Sequence, residues 1–207
     1  FNAVEGFDYG TDGAGSVAYA LELSATTGLA TSMFALDDSD TNTADGDMDG
    51  YGQGDQILLF TQEDGTIQGR TSLESDAVYF TISVDAETGE VSFTQSASLN
   101  LWHDDSSENA DEPATLNLAK AADLTLVQTL TDADGDTDDQ AINLGSGVFS
   151  IDDDGPTVVV DGTAPVPTLA LDESDTGDGR TVTADFADNF NAVEGFDYGT
   201  DGAGSVA

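Results

Sequence analysis

The chain has 207 residues, of which 42 are Asp or Glu and three are basic (Arg70, Lys120 and Arg180), for a formal net charge of -39. Such a surface offers no basic patch to nucleic acid or anionic lipid, and the absence of cysteine excludes disulfides, thiol chemistry and thiolate metal sites. No apolar stretch reaches bilayer-spanning length, so no membrane insertion is expected, and the first residues lack the regions of a signal peptide and read as starting in mid-pattern. Self-repulsion on this scale opposes a compact state. Yet 38% of the residues are hydrophobic, with 10 Phe, 5 Tyr and 1 Trp. A chain able to build a core but carrying carboxylates far in excess of basic partners calls for an external cation, and a divalent metal answers that need.

In chain order, apolar residues alternate with a period of two, the mark of half-buried strands. Val17–Leu23 places Val17, Tyr19, Leu21 and Leu23 on one face. Ile57–Thr61 is a short apolar run that ends at a turn, Glu63-Asp64-Gly65. Val78–Val84 and Val91–Thr94 flank Asp85–Glu90, a pattern that predicts a hairpin with a glycine-containing loop. Further strands are expected at Ser98–Trp102, Thr115–Leu118, Leu124–Leu130, Ala141–Leu144, Val148–Ile151, Thr157–Val160, Thr168–Leu171 and Thr181–Phe186. Residues 104–112 read as a loop or a single helical turn. Short strands between Gly- and Asp-rich turns indicate an all-β fold, an antiparallel β-sandwich of the immunoglobulin-like kind with calcium-binding loops.

Residues 1–18 (FNAVEGFDYGTDGAGSVA) recur unchanged as residues 190–207, a period of 189 residues. This is the signature of a tandem array of near-identical modules, each large enough to be a domain. The run Asp152-Asp153-Asp154-Gly155-Pro156 ends an extended segment and marks a boundary. Residues 1–156 are then expected to form a module without its first segment, and residues 157–207 to open the next one. The segment 157–189 supplies the part the first module lacks, either within one chain or for a neighbour.

Four acidic clusters have the chemistry of a hard-cation site, since oxygen-only ligand sets suit calcium over zinc or copper. Asp45, Asp47 and Asp49, interleaved with Gly46 and followed by Gly50, match the opening of a calcium loop. Position twelve of an EF-hand loop would be Glu and is Gln56 here, so an EF-hand is excluded; Asp37, Asp38 and Asp40 can add oxygens from upstream. The second cluster is Asp132, Asp134, Asp136, Asp138 and Asp139, between two expected strands. The third is Asp152, Asp153 and Asp154 at the boundary, where an ion would stiffen the junction between modules. The fourth is Asp172, Glu173, Asp175 and Asp178, with Asp8 and Asp12 as weaker positions. An isolated Asp-Gly pair such as Asp64-Gly65 is better read as an ordinary turn.

Catalytic readings are poorly motivated. Carboxylate pairs at glycosidase spacing arise by chance in so acidic a chain. The lone histidine, His103, ends an expected strand and reads as structural, and Gly10–Gly15 adjoins no helix that would make it a phosphate loop. Tyr9, Tyr51 and Trp102 could line a sugar site, but core packing or loop anchoring explains them more simply. The chain is therefore expected not to be an enzyme.

Several of these segments together resemble a known family. They are Tyr9–Gly15, Gly69-Arg70-Thr71, the Val78–Val91 hairpin, Trp102-His103, Thr131–Thr137 and Asp152–Pro156. Their succession resembles a repeat domain of giant RTX-type adhesins of Gram-negative bacteria. The resemblance implies export by type I secretion, a secreted cell-surface location and stacking on neighbouring copies of the same module. It also implies Ca2+ that rigidifies modules and linkers. The glycine-rich nonapeptide repeat of the RTX β-roll is absent, which places the chain in the extender region, spacing an adhesive tip that meets its surface or glycan ligand through other domains. The alternative is a calcium-dependent carbohydrate- or surface-binding module.

Overall fold

The computed structural model describes residues 7–11, 13–25, 28–39, 52–103, 112–153, 155, 160, 165–171, 181–186 and 189–190. The chain divides into two compact units, Phe1–Asp153 and Asp154–Ala207. Among the described residues of the first, ten strands follow one another: β1 (Ala14–Leu23), β2 (Leu29–Asp37), β3 (Gly52–Thr61), β4 (Ile67–Arg70), β5 (Phe80–Val84), β6 (Val91–Gln95), β7 (Pro113–Asn117), β8 (Leu124–Asp132), β9 (Thr137–Asn143) and β10 (Ser146–Asp152). A 3-10 turn, Ala121–Asp123, leads into β8. The class is all-β.

All strand pairs are antiparallel, in sheets ordered β1-β8-β9, β2-β3-β4-β5-β6 and β10-β7. The alternation read in Val17–Leu23 has a direct consequence: Tyr19 and Leu21 point inward, as do Leu124 and Leu126 of β8. They share one core with Met33, Ile57, Leu59, Ile67, Phe80 and Ile82 of the five-stranded sheet, and with Leu116, Phe149 and Ile151 of the third. The β7 edge is joined to β2 through one hydroxyl. Ser32 Oγ donates to the Thr115 carbonyl (2.7 Å) and accepts from the Asn117 amide (3.0 Å). Tyr19 links sheet to hairpin: its amide donates to the Ala86 carbonyl (3.0 Å), and its hydroxyl accepts from Gln128 Nε2 (2.6 Å).

The N-terminal end of β1 runs close over β8. A Cβ built on Gly15 would lie 2.2 Å from the Thr131 carbonyl oxygen and 2.4 Å from that of Asp132. The register shifts here, between Ala14 and Ser16, so the approach is a bulge that tolerates only glycine. Gly15→Ala must push β1 off β8, at a cost of about 1–3 kcal/mol. Equilibrium urea unfolding will show it as a lower midpoint.

Three expected strands are not formed. Ser98–Trp102 makes only an isolated bridge between Leu101 and Ala35, although the Trp102 amide still donates to the Phe34 carbonyl (3.0 Å). Thr168–Leu171 and Thr181–Phe186 carry no regular structure. Of Thr157–Val160 only Val160 is described, in a bridge with Phe190, and most of 104–112 lies outside the described residues. Two further strands have no clear signal in the sequence. In β2 the inward positions are Thr31, Met33 and Ala35, while Phe34 and Leu36 on the opposite face are half-buried, so no clean alternation is visible. The four residues of β4 include Gly69 and Arg70, a weak strand signal.

Candidate metal centre

The densest acidic cluster falls on the β8–β9 turn. Strand β8 ends at Asp132 and β9 begins at Thr137, so Ala133-Asp134-Gly135-Asp136 must reverse the chain. Gly135 does this with φ 101°, a value that L side chains rarely adopt. Asp132 organises the reversal from within: its Oδ1 accepts from the amides of Gly135 (3.0 Å) and Asp136 (2.8 Å). Its own amide donates to the Asp136 carbonyl (3.0 Å). Alternate residues Asp132, Asp134 and Asp136 thereby place one carboxylate oxygen each within 4.8 Å of one another. Among the described residues this is the one such group of three.

Electrostatics reflects that crowding. The Asp132 carboxyl is held below its ordinary range, chiefly by a hydrogen bond with the Asp134 side chain. Asp134 is pushed up by the same hydrogen bond and by the Asp132 charge. Two carboxyl groups that push each other's titration in opposite directions mark a site where negative charge is crowded. A hard divalent cation relieves the same repulsion with oxygen ligands of the right type.

The turn is braced from outside by the duplicated segment. The Ala133 amide donates to the Gly13 carbonyl (3.1 Å), just before the Gly15 approach. In the sequence, Gly10–Gly15 reads as a glycine-rich stretch of the duplicated segment that is no phosphate loop, with Asp12 as a weaker metal position. Its contact with the acidic turn has no local signal, because the two lie at opposite ends of the compact unit.

The other expected ligands are not gathered here. Asp138 and Asp139 lie on β9, opposite Leu130 and Thr129, and are exposed. Asp152 ends β10 opposite Pro113, and the Asp153 amide donates to the Glu112 carbonyl (3.2 Å). Asp45, Asp47, Asp49 and Asp154 lie outside the described residues, as do Asp12, Asp40, Tyr51 and the cluster Asp172, Glu173, Asp175 and Asp178.

Elsewhere the acidic residues do turn chemistry. Asp64 Oδ1 accepts from the Thr66 amide (3.0 Å) and hydroxyl (2.7 Å), and Asp37 does the same with Ser39 (2.9 and 2.7 Å). Asp85 Oδ1 accepts from the amides of Thr88 (2.8 Å) and Glu87 (2.9 Å) in the β5–β6 turn. These bonds favour the ionised form and lower all three carboxyls. A depressed folded pKa gives stability that is present above the unfolded value, about pH 4, and lost as pH falls through the folded value. The stability that these three turns contribute is thus expected to fall below about pH 4, read as the pH-dependent difference between melts of the parent and of a turn variant from pH 6 to 2. Asp85→Asn, which keeps the acceptor oxygen, will reduce that slope without removing the turn.

The remaining polar and aromatic candidates are structural in geometry. His103 Nδ1 contacts the Glu112 carbonyl at 2.7 Å, which requires the proton on that nitrogen. Trp102 packs edge-on against Phe34, with ring centroids 6.2 Å apart.

A scan against family models matches residues 1–145 to a domain of unknown function, DUF5801. The chain belongs to this family. The match spans the strands from β1 to β9 and therefore the whole acidic turn of the DUF5801 domain. No curated protein and no solved structure matches the chain. Among its described residues, no helix is long and apolar enough to cross a membrane.

Proposed function

We propose that this DUF5801 chain is a calcium-stabilised structural repeat, an extender module of a large secreted bacterial surface adhesin. The observation that carries the reading is the convergence of Asp132, Asp134 and Asp136 on one turn in a chain of net charge -39. Calcium held there, with further oxygens from carbonyls and water, ties the β8–β9 turn to the strands it joins. The fold is an immunoglobulin-like antiparallel sandwich. Metal binding becomes folding free energy, because the unfolded chain has no preformed site. The 18-residue identity between residues 1–18 and 190–207 supports a tandem array, in which each module's role is length and stiffness. The module performs no catalysis.

The test is calcium titration after chelation, read by thermal melting and small-angle scattering. At a calcium concentration about a hundredfold above the dissociation constant, the melting temperature is expected to rise by roughly 5–10 °C, with a smaller radius of gyration. Magnesium, which demands a stricter octahedron and dehydrates reluctantly, should give less. A melt and a radius indifferent to calcium would sink the reading.

A further inference from the structure

Proteases of the trypsin class cut after Lys or Arg, because an acidic specificity pocket must hold the basic side chain. The chain offers them three such positions, Arg70, Lys120 and Arg180. Two of these, Arg70 and Lys120, fall in the compact unit Phe1–Asp153. Cleavage also needs the substrate extended across the protease, with the carbonyl of the basic residue seated in the oxyanion hole. What already holds those groups decides how each bond responds.

At Arg70–Thr71 the side chain itself is engaged. Arg70 closes β4 opposite Leu58 of β3. Its guanidinium folds back on its own strand and loop, with Nε donating to Gln68 Oε1 (2.8 Å) and Nη1 to the Ser75 carbonyl (2.9 Å). A specificity pocket has to strip these bonds and also peel the backbone from the sheet.

At Lys120–Ala121 the hold is on the main chain. The Lys120 carbonyl, which a protease has to polarise, accepts from the Asp123 amide (3.0 Å). The Ala121 carbonyl accepts from the Gly145 amide (3.0 Å), and the Gly145 carbonyl accepts from the Leu118 amide (2.8 Å). The β9–β10 connection is thus bonded on both sides of the scissile bond. Asp123 adds its side chain, with Oδ2 accepting from the Lys120 amide (3.2 Å) and Oδ1 from the Ser24 hydroxyl (2.8 Å). A Cβ built on Gly145 would lie 2.8 Å from the Ala121 oxygen and 3.2 Å from that of Lys120. Glycine alone lets the connection lie this close.

We propose that Lys120–Ala121 is a latent cleavage site for trypsin-class proteases, kept shut by the close seat of Gly145 on the Lys120–Asp123 turn. The reaction is hydrolysis: water adds across the amide, leaving a carboxylate on Lys120 and an amine on Ala121. The site opens by local release of the β9–β10 connection and not by unfolding of the whole unit.

The test is trypsin digestion of the 207-residue chain, with the products identified by mass spectrometry and a free peptide of residues 114–126 as reference. Cleavage after Lys120 should be roughly a hundredfold or more slower in the chain than in the peptide. Gly145→Ala should speed it roughly tenfold or more, with Arg70–Thr71 still whole. Asp123→Ala removes the side-chain bonds and leaves Gly145 in place. It should speed cleavage in the same direction, and it decides the matter if Gly145→Ala does not fold. Gly15→Ala is the comparison, because it weakens the unit at the opposite end of β1 and should leave the Lys120 rate within about twofold. Products cut only after Arg180 are counted as intact, since that bond lies outside the compact unit. Cleavage of the parent after Lys120 at the peptide's rate overturns the proposal. So does the absence of acceleration in both turn variants, or an equal acceleration in Gly15→Ala.

Discussion

Phe80→Ala is expected to cost about 3–5 kcal/mol, as phenylalanine truncations in close-packed cores do, out of a total stability of about 5–15 kcal/mol for a domain. Phe80 is 1% exposed and its ring lies directly over Gly69, where a Cβ would come within 2.5 Å of it. It meets Phe93 edge-on at 5.3 Å, and Phe93 in turn meets Phe149 at 5.1 Å. That chain of rings connects the five-stranded sheet to β10, so the cavity opens where two sheets share packing and neither can close it alone. The melting temperature should fall by roughly 10–15 °C, and the urea midpoint should drop with the m-value unchanged. Ile142→Ala is the control. That side chain is 38% exposed on β9, and its truncation should cost less than about 1 kcal/mol. An equal loss at both positions would mean that the rings do not form the core described.

The contrast between these two positions bears on how much of the fold is legible in the sequence. Strands that alternate cleanly and face one core, such as β1 and β8, are legible from Tyr19, Leu21, Leu124 and Leu126 alone. The β5–β6 hairpin is legible from its turn chemistry, with Asp85 bonding forward to Glu87 and Thr88 and Gly89 at φ 73°. Strand β2 is not, because Thr31 occupies an inward position with its hydroxyl donating to the Ile57 carbonyl (2.8 Å). A buried threonine satisfied by a neighbouring strand looks like a polar break in the pattern until that neighbour is known. The opposite holds at Thr168–Leu171, where a strand-forming pattern has no strand partner among the described residues. Pattern encodes the capacity to pair; only topology supplies the partner. The same distinction governs the acidic turn. Its alternate carboxylates are visible as spacing, while the Gly13 carbonyl that braces it is not, since nothing local links residue 13 to residue 133.

Replacing the three turn carboxylates together, as Asp132→Asn, Asp134→Asn and Asp136→Asn, is expected to change stability in opposite directions with and without calcium. In chelator, three crowded negative charges become neutral amides. The side-chain oxygen kept at position 132 can still accept from the Gly135 and Asp136 amides that Asp132 bonds, so the turn keeps its shape and loses its repulsion. The variant should then melt at or slightly above the parent. In calcium the parent gains the roughly 5–10 °C of linkage stabilisation, and the variant loses the part that this turn supplies, so the order reverses. Bulk screening cannot produce such a crossover, because salt diminishes the repulsion in the parent without creating a state more stable than the neutral variant. Melts of both proteins in chelator, in calcium and in sodium chloride of matched ionic strength distinguish the cases. If the parent rises equally in calcium and in sodium chloride, the turn is only a charged surface. If the triple variant keeps the full calcium response, the ion is held by other residues of the chain, and the convergence at Asp132, Asp134 and Asp136 is not the site that stabilises the fold.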